Sequence, residues 1–351
     1  MKSLLGLALT VLLLLGVFFT PTAAAGDIIK VMTQNQYLGA DLTPLIEAAV
    51  GGSLKDFIAA VEDAFTQIAI NNFPLRAQRL ATEVALSNPD AIALQEVIDL
   101  KLNGENPGPP YVDHLTETLD ALAAKGLYYV VAAKVINLNI TMPIGPSDIN
   151  GDLVSIVDRD VILVREGVAF TALSGYYDPN EPTLGPLCGV PVSNPVPVLP
   201  FPPTLESTVS EDGCNYTAVA EFKSPLIGKI TINRGFVGVD VTVRGKDYRV
   251  VNTHLEVREL LSDAKFSRIF QYLQSEELIE TLRVTTPEDL TLILLGDFNS
   301  CDEDMSVFIG PFEIFPPYQV IIDHDAGFLD IWDKNPLKLL DPYGFTCCQD
   351  A

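Results

Sequence analysis

The chain alternates between two patterns of apolar residues, one typical of strands and one typical of helices. Over 239–243, valines alternate with polar residues, which is the period-two pattern of a strand with one buried face. These patterns predict strands near 28–34, 90–95, 127–136, 153–165, 217–223, 228–243, 247–253 and 290–295. They predict helices near 43–50, 53–70, 74–88, 111–125 and 263–283. Because strands and helices alternate throughout, we expect one α/β domain whose sheets are covered by helices.

Two of the predicted helices carry side chains whose placement can be checked. The helix 263–283 is predicted to bury one apolar face, since its large apolar residues recur at helical spacing. That face contains Phe266, Ile269, Phe270 and Leu273. His114 lies on the amphipathic helix 111–125 and is expected to face solvent.

The first 25 residues have the pattern of a secretory signal peptide. Lys2 precedes an apolar run over 4–19, and the small residues 23–25 offer a cleavage site. An uncleaved membrane anchor is the competing interpretation, but the run is short for a span of about 20 residues. We therefore expect a protein exported to the periplasm or secreted, with 26–351 as one mature domain that has no stable span. A monomer is expected.

Prolines concentrate over 176–216, which predicts a long surface insertion rather than regular elements. The five cysteines are Cys188, Cys214, Cys301, Cys347 and Cys348. Cys188 and Cys214 flank the insertion, and export would permit them to form a disulfide. Cys301 can pair with either of the last two cysteines, which leaves one thiol over. No CxxC pair is present, which disfavours a structural zinc site.

The charge balance is strongly acidic. The chain has 22 Lys and Arg against 46 Asp and Glu, a formal net charge of −24. Such a protein repels polyanions at long range, and tight binding to duplex DNA normally needs a basic footprint. The charge therefore disfavours long duplex DNA as a partner, although a local basic patch would still permit it.

Polar side chains follow four predicted strands at the point where each apolar run ends. These stretches are Thr33-Gln34-Asn35, Gln95-Glu96, Asn252-Thr253-His254 and Asp297-Phe298-Asn299. Each has an ordinary structural explanation: a turn residue, a helix cap, a hydrogen-bonded core histidine and an Asx turn, respectively. Catalytic residues of α/β proteins concentrate at strand ends, however. Four such ends in one chain favour a functional site.

The residue types at these strand ends suit phosphate chemistry with a hard cation. Mg²⁺ prefers carboxylate and amide oxygens, waters and substrate phosphate. Glu96 supplies a carboxylate, and Asp297 can lie near the metal or accept a proton from an attacking water. Asn35 and Asn299 can orient a ligand without adding negative charge, and His254 can donate to phosphoryl oxygens.

Three motifs resemble those of the endonuclease/exonuclease/phosphatase family, the DNase-I-like superfamily. They are LQEV around Glu96, VVNTHLEV around His254 and LLGDFNS around Asp297. Four further stretches also resemble that family: VMTQNQYLG at Asn35, RDVILVR at 159–165, NRGFVGVDV at 233–241 and GFLDIW at 327–332. The resemblance spans about 28–346, and the ordered set of three motifs is more specific than any one of them.

The resemblance implies a four-layer α/β/β/α sandwich of two mixed sheets. It implies hydrolysis of a phosphate ester with Mg²⁺, or with Mn²⁺ or Ca²⁺. By motif, Glu96, Asn35 and Asp297 would lie at the metal. His254 would contact the phosphate, Asp297 would position or activate the water with Asn299 supporting it, and Asp330 would support the last catalytic histidine.

The end of the chain departs from the family pattern. The family normally ends with a strand that carries Asp-His or Arg-x-Asp, whereas this sequence stops at FTCCQDA. We therefore expect the last strand to be absent. His324 precedes GFLDIW, so we interpret it as a loop residue. The expected function is a metal-dependent phosphodiesterase acting on a lipid headgroup or small phosphodiester; the alternatives are a secreted nuclease and a non-catalytic binding protein of the same fold.

Overall fold

Two mixed β-sheets, each with helices on its outer face, make up most of the described molecule. The computed structural model describes residues 28–143, 152–181, 185–197, 201–259, 264–323 and 327–335. The predicted signal peptide, His324, Cys347 and Cys348 lie outside these ranges. Within them, none of the helices has the length and apolar character that a membrane span requires.

The first sheet places the ends of β1 and β2 side by side. It contains β1 (Val31–Asn35), β2 (Ala91–Gln95), β3 (Asp99–Leu102), β4 (Tyr129–Pro143) and β5 (Leu153–Arg165). The strand order is β1-β2-β5-β3, with β4 also paired to β5. Strands β1 and β2 are parallel, and Asn35 lies opposite Gln95. The residues that follow both strands therefore leave the sheet at one edge.

The second sheet repeats this arrangement with β14 and β15. It contains β6 (Ala169–Ala172), β9 (Thr208–Ser210), β10 (Gly213–Asn215), β13 (Gly235–Val243), β14 (Lys246–His254) and β15 (Thr291–Asp297). The strand order is β15-β14-β13-β10-β9, with β6 paired to β13. Strands β14 and β15 are parallel, and His254 lies opposite Asp297. Short hairpins β7–β8 (Val192–Ser193, Thr204–Leu205), β11–β12 (Ala220–Ser224, Gly228–Ile232) and β16–β17 (Val307–Ile309, Phe312–Ile314) lie outside the two sheets.

The sheets pack face to face through an aliphatic core. Alternate valines of β13, at 237, 239, 241 and 243, are buried against residues of β4 and β5 that include Val135, Ile162 and Val164. The period-two pattern read from the sequence is the cause, since it directs every second side chain of β13 to one face.

Helices cover both outer faces. The helices are α1 (Thr43–Gly51), α2 (Leu54–Asn71), α3 (Phe73–Ser87), α4 (His114–Ala123), α5 (Ala264–Thr285) and α6 (Pro317–Asp323), followed by a 3₁₀ turn (Trp332–Lys334). On the first sheet, α3 and α4 bury Leu80 and Leu122 against Leu94. On the second sheet, α5 buries Leu278 and Leu282. The fold is therefore a four-layer α/β/β/α sandwich, as the resemblance implied.

The predicted strand over 228–243 is wrong as a single element. The chain forms β12 and then β13, and the break falls at Asn233 and Arg234. Among the described strands, β12 pairs with β11 alone, whereas β13 enters the second sheet. Gly235 begins β13 because β10 approaches very closely: a Cβ there would lie 2.5 Å from the carbonyl oxygen of Cys214. The apolar pattern continues across the break, so it did not reveal where the strand leaves one sheet for another.

The Pro-rich insertion is more ordered and more buried than predicted. It forms β7 to β10, and β9 and β10 extend the second sheet. The expected disulfide between Cys188 and Cys214 is present. Leu187, Leu205 and both of these sulfurs are fully buried. Prolines exclude regular ladders but not packing, so an aliphatic insertion can still contribute to a core. Cys301 forms no disulfide with a described cysteine.

Two side chains lie opposite to their predicted environment. His114 is buried and stacks on Phe73, with ring centroids 3.5 Å apart. Burial lowers the pKa of His114 to about 3, so the ring is neutral. Phe266 is 52% exposed, although Ile269 and Leu273 of the same helix are buried. Phe266 lies in the first turn of α5.

A buried carboxyl on α5 makes stability depend on pH. Glu277 is fully buried and accepts hydrogen bonds from the backbone and hydroxyl of Thr217. Burial raises the pKa of Glu277 to about 8. In the unfolded chain this carboxyl ionises near its ordinary pKa, so the folded state holds an extra proton between the two values. The stability from that proton is complete below the unfolded pKa and is lost as the pH rises to about 8.

The substitution Glu277→Gln should therefore be stabilising at high pH. Each pH unit across this window costs the wild type about 1.36 kcal/mol. The amide has no proton to lose, so the urea midpoint of the variant should exceed that of the wild type by a margin that grows from pH 5 to pH 8. Exposed Glu288→Gln is the matched control and should follow the wild type. Parallel midpoint curves for wild type and Glu277→Gln would contradict the prediction.

Candidate active site

Four predicted site residues, two from each sheet, meet at one edge of the sandwich. Asn35 ends β1 and Glu96 follows β2, whereas His254 ends β14 and Asp297 ends β15. The Nδ2 atom of Asn35 donates to Glu96 Oε1 and to Asp297 Oδ2, each at 2.9 Å. His254 Nε2 lies 3.9 Å from the same oxygen of Asp297. The four side chains therefore surround one small volume, as the strand-end pattern predicted.

Buried amides hold the two sheets together directly behind this volume. Gln95 Nε2 donates to Asn252 Oδ1 at 2.6 Å, and Asn252 Nδ2 donates to the carbonyl of Leu94 at 2.9 Å. Gln95 and Asn252 each precede a site residue by one or two positions. Because buried amides cost free energy unless they are paired, these bonds favour one relative placement of the sheets.

Local backbone geometry aims the carboxylates. Glu96 has a φ of 52°, in the left-handed region, and its Oε2 accepts from the backbone N–H of Leu38 at 2.8 Å. Gly296 precedes Asp297 with a φ of 150°, and a Cβ there would lie 2.2 Å from the carbonyl oxygen of Thr253. Only glycine fits this approach, which lets β15 deliver Asp297 beside the end of β14.

Asn299 supports Asp297 from outside the carboxylate cluster. Strand β15 ends at Asp297, so Asn299 lies in the following loop with a φ of 47°. Its backbone N–H donates to Asp297 Oδ1 at 3.0 Å, which forms the Asx turn. Its side-chain Nδ2 donates to the carbonyl of Leu255 at 2.9 Å. The Asx turn expected from the sequence is therefore part of the candidate site, since the turn orients the carboxylate of Asp297.

Burial and neighbouring charges set the protonation of the central pair. Burial lowers the pKa of His254 to about 4, and the Arg234 guanidinium acts in the same direction. Burial by itself would raise the pKa of Asp297. The adjacent His254 and the hydrogen bonds from Asn35 and Asn299 outweigh burial, and the pKa of Asp297 lies below its ordinary value. At neutral pH the site therefore contains a neutral imidazole next to an ionised carboxylate.

Sequence reasoning did not assign the buried charged residues that lie behind His254. Arg234 Nη1 lies 3.2 Å from His254 Nδ1, and its Nη2 donates to Glu256 Oε1 at 3.1 Å. Asp160 Oδ1 lies 3.9 Å from His254 Nδ1, and Asp160 Oδ2 accepts from Asn137 at 2.8 Å. A signal was present, because Asp160 lies within the apolar strand β5 and Arg234 within the apolar segment predicted as one strand, where charges are rare unless paired.

These buried carboxyls favour their protonated forms. Burial and the nearby charge of Glu96 raise the pKa of Asp158 to about 7. Burial and Asp158 raise the pKa of Asp160 well above its ordinary value. Among the described residues, the Oδ1 atoms of Asn137, Asp158 and Asp160 have no hydrogen-bond partner. The interior next to His254 therefore carries a surplus of oxygen acceptors.

Asp330 lies outside the carboxylate cluster, in the segment that follows α6. Its Oδ2 accepts from the Tyr318 hydroxyl at 3.1 Å, and its Oδ1 accepts from the backbone N–H of Trp332 at 2.8 Å. The backbone N–H of Tyr318 in turn donates to Ser300 Oγ at 3.1 Å, next to Asn299. The structure thus connects Asp330 to the Asp297 loop through Tyr318. Its predicted support of a catalytic histidine stays a prediction.

The donor set fits a hard divalent cation. Glu96 Oε1 and Asp297 Oδ2 both lie 2.9 Å from one nitrogen, so the two carboxylates converge on one position. Among the described residues, no group of three or more His, Cys, Asp or Glu side chains has metal-ligand spacing. Mg²⁺ commonly uses one or two carboxylates together with waters and substrate. Asn35 directs its amide nitrogen to the carboxylates, and its Oδ1 accepts from the backbone N–H of Tyr37 at 2.7 Å.

Comparison with known proteins adds solved structures of low similarity. No protein-family model matches the chain, and no curated protein matches it. A humanized D. rerio TDP2 carrying 14 mutations shows 14% identity over 87% of this chain and 71% of that chain, with a TM-score of 0.35. A β-hairpin deletion mutant of Staphylococcus aureus beta toxin shows 14% identity over 90% and 83%, with a TM-score of 0.36.

An endonuclease/exonuclease/phosphatase from Beutenbergia cavernae shows 20% identity over 65% of this chain and 43% of that chain, with a TM-score of 0.33. Similarities at this level carry no inference about activity or substrate. The fold assignment rests on the strand order and layer packing of this chain, and the functional argument rests on its site.

Proposed function

We propose that the protein is an exported, cation-dependent phosphoesterase, and more specifically a phosphodiesterase that acts on a lipid headgroup or a small phosphodiester. The observation that supports this proposal is the convergence of Asn35, Glu96, His254 and Asp297 at the ends of four strands from two sheets. The neutral donor His254 can bond to a phosphoryl oxygen, and the carboxylates of Glu96 and Asp297 can bind a cation and accept a proton, which suits attack of water on phosphorus.

Each residue has a definite task in this reaction. A bound Mg²⁺-type cation, held by Glu96 and Asp297, would polarise the phosphoryl group. Asp297, ionised at neutral pH because its pKa is lowered, accepts the proton of the attacking water. His254, neutral because its pKa is lowered, donates an N–H to a phosphoryl oxygen. The positive charge of buried Arg234 next to His254 favours the negative charge that develops there.

Two observations support export and the choice of substrate. A disulfide joins Cys188 and Cys214, and such bonds persist mainly in oxidising compartments. The net charge of −24 opposes the approach of a long polyanion. Together with the predicted signal peptide, they favour a secreted or periplasmic enzyme and a substrate smaller than duplex DNA.

A substrate screen with and without cation tests the proposal. The purified protein should hydrolyse bis-p-nitrophenyl phosphate with Mg²⁺, Mn²⁺ or Ca²⁺, and EDTA should reduce the rate to background. Sphingomyelin and duplex DNA are assayed in parallel, and cleavage of DNA alone would replace the lipid or small-diester preference with a nuclease. Hydrolysis of none of these substrates with any of the cations would contradict the proposal and favour a binding protein.

A further inference from the structure

The 36–38 segment, the three residues that follow β1, orients two groups of the candidate site. The backbone N–H of Tyr37 donates to Asn35 Oδ1 at 2.7 Å, which leaves the amide nitrogen of Asn35 directed at the two carboxylates. The backbone N–H of Leu38 donates to Glu96 Oε2 at 2.8 Å. The Asn35 amide and the Glu96 carboxylate therefore keep their directions only while this segment keeps its conformation.

Tyr37 holds an unfavourable backbone conformation in the middle of this segment. Its φ is 50°, in the left-handed region that bulky residues rarely adopt. The residues on either side, Gln36 and Leu38, are buried, so Tyr37 is not part of a free loop. A residue other than glycine keeps such a φ only where neighbouring groups fix it, and residues of this kind concentrate at active sites. The segment therefore needs outside contacts that hold its backbone.

Arg76 on α3 provides these contacts. Its Nη1 donates to the carbonyl of Gln36, and its Nη2 donates to the carbonyl of Tyr37 at 2.9 Å. Its Nε donates to the carbonyl of Asn71, the last residue of α2, at 3.3 Å. The three nitrogens of one guanidinium thus join two successive carbonyls of the segment to the junction between α2 and α3. Arginine suits this task because its donors form a rigid planar fork, whereas lysine has a single flexible ammonium group.

Two stacked rings contact both this guanidinium and the backbone of Glu96. The Cζ atom of Arg76 lies 4.9 Å from the ring centroid of Phe73 and 6.0 Å from that of Tyr37, within the range of cation–π attraction. Phe73 stacks on His114, and His114 Nδ1 lies 3.3 Å from the backbone carbonyl oxygen of Glu96. Helices α3 and α4 therefore support both the 36–38 segment and the residue that would bind the cation.

We propose that Arg76 is a positioning residue for cation binding, which holds the 36–38 segment in the conformation where Asn35 and Glu96 face the cation. Arg76 itself contacts neither the cation nor the phosphate in this arrangement. Removal of a side chain that orients a metal ligand typically weakens metal binding about 10- to 100-fold. The effect on the cation rests on the proposed function, whereas the effect on the segment can be measured without a cation.

Titration with Mn²⁺ alone, followed by the electron paramagnetic resonance signal of the free ion, tests the effect on the cation. The wild type should bind one Mn²⁺ that Glu96→Gln no longer binds. Arg76→Met keeps the length of the side chain and loses all its donors, so it should raise the Kd of this site about 10- to 100-fold. Arg76→Lys keeps the charge but cannot span the carbonyls, and its Kd should lie between those of the wild type and Arg76→Met. Arg79→Met, which changes an exposed arginine of the same helix, is the matched control and should bind like the wild type.

Amide hydrogen exchange in EDTA separates failure of the inference from failure of the proposed function. The amides over 36–40 should exchange faster in Arg76→Met than in the wild type and Arg79→Met, while those of β14 keep their protection. If Arg76→Met does not fold, the same comparison is made with Arg76→Lys. Faster exchange throughout both sheets would make Arg76 a general structural residue and overturn the inference.

The two measurements together give distinct results. Faster exchange confined to 36–40, in a protein whose wild type binds no Mn²⁺ and hydrolyses no diester, would support the hold of Arg76 on the segment and overturn the cation-dependent enzyme. A wild type that binds Mn²⁺ and hydrolyses bis-p-nitrophenyl phosphate, with an unchanged Kd for Mn²⁺ in Arg76→Met, would overturn the role of Arg76 alone.

Discussion

Replacing Glu96 by glutamine is expected to lower the rate of phosphodiester hydrolysis about 1,000-fold or more. Glu96 accepts from Asn35 and from the backbone of Leu38, and a glutamine oxygen can keep one of these contacts. The amide cannot supply the negative charge that a divalent cation requires. Such a cation stabilises the transition state by several kcal/mol, and each ~1.36 kcal/mol that is lost slows the reaction about tenfold. The measurement is kcat/KM for bis-p-nitrophenyl phosphate with saturating Mg²⁺.

A thermal shift shows whether this loss comes from the cation. Mg²⁺ should raise the Tm of the wild type, because a ligand that binds only the folded state stabilises it. The shift should be much smaller in Glu96→Gln and unchanged in Glu166→Gln, which changes an exposed carboxylate that follows β5 where β2 begins, at the opposite end of β2 from Glu96. Full activity and a full Mg²⁺ shift in Glu96→Gln would remove Glu96 from the site.

The substitution His254→Gln is expected to lower kcat by about 100- to 1,000-fold, the usual cost of losing a donor to a developing negative charge. His254 is held between Arg234, the buried carboxyl of Asp160 and the carboxylate of Asp297. Burial and Arg234 lower its pKa to about 4, so the wild-type ring acts as a neutral donor at neutral pH. The measurement is kcat under single-turnover and steady-state conditions.

The Mg²⁺-induced shift in Tm distinguishes the role of His254 from that of Glu96. His254 does not hold the cation in the proposed arrangement, so His254→Gln should keep the Mg²⁺-induced shift in Tm while losing turnover. Loss of both would place His254 among the cation ligands. Turnover equal to the wild type would exclude its proposed contact with phosphate.

Periodicity predicted most of the framework because its signal is local. The predicted helix over 53–70 corresponds to α2, and the predicted strand over 153–165 has the bounds of β5. The break between β12 and β13 was not predicted, since Asn233 and Arg234 interrupt pairing but not the apolar pattern. The environment of His114 was wrong for a related reason: its neighbour Phe73 belongs to another helix, and no local pattern contains that contact.

The candidate site was predicted where side chains follow an apolar strand end and missed where a charged residue interrupts an apolar segment. Asn35, Glu96, His254 and Asp297 each follow an apolar run, and parallel pairing carries such positions to a common edge. Arg234 reaches the same site from the break just before β13, and Asp160 reaches it from the middle of β5. Their signal was a charge in an apolar segment, and its partners became visible only when the two sheets were packed.

The buried bridge between Gln95 and Asn252 has a consequence for how the molecule gains and loses its capacity to react. Either sheet alone presents only half of the reactive groups, and a small slide of one layer over the other would break this bridge and separate the carboxylates together. Catalytic activity should therefore be lost in one step when the two sheets separate, before the outer helices unfold.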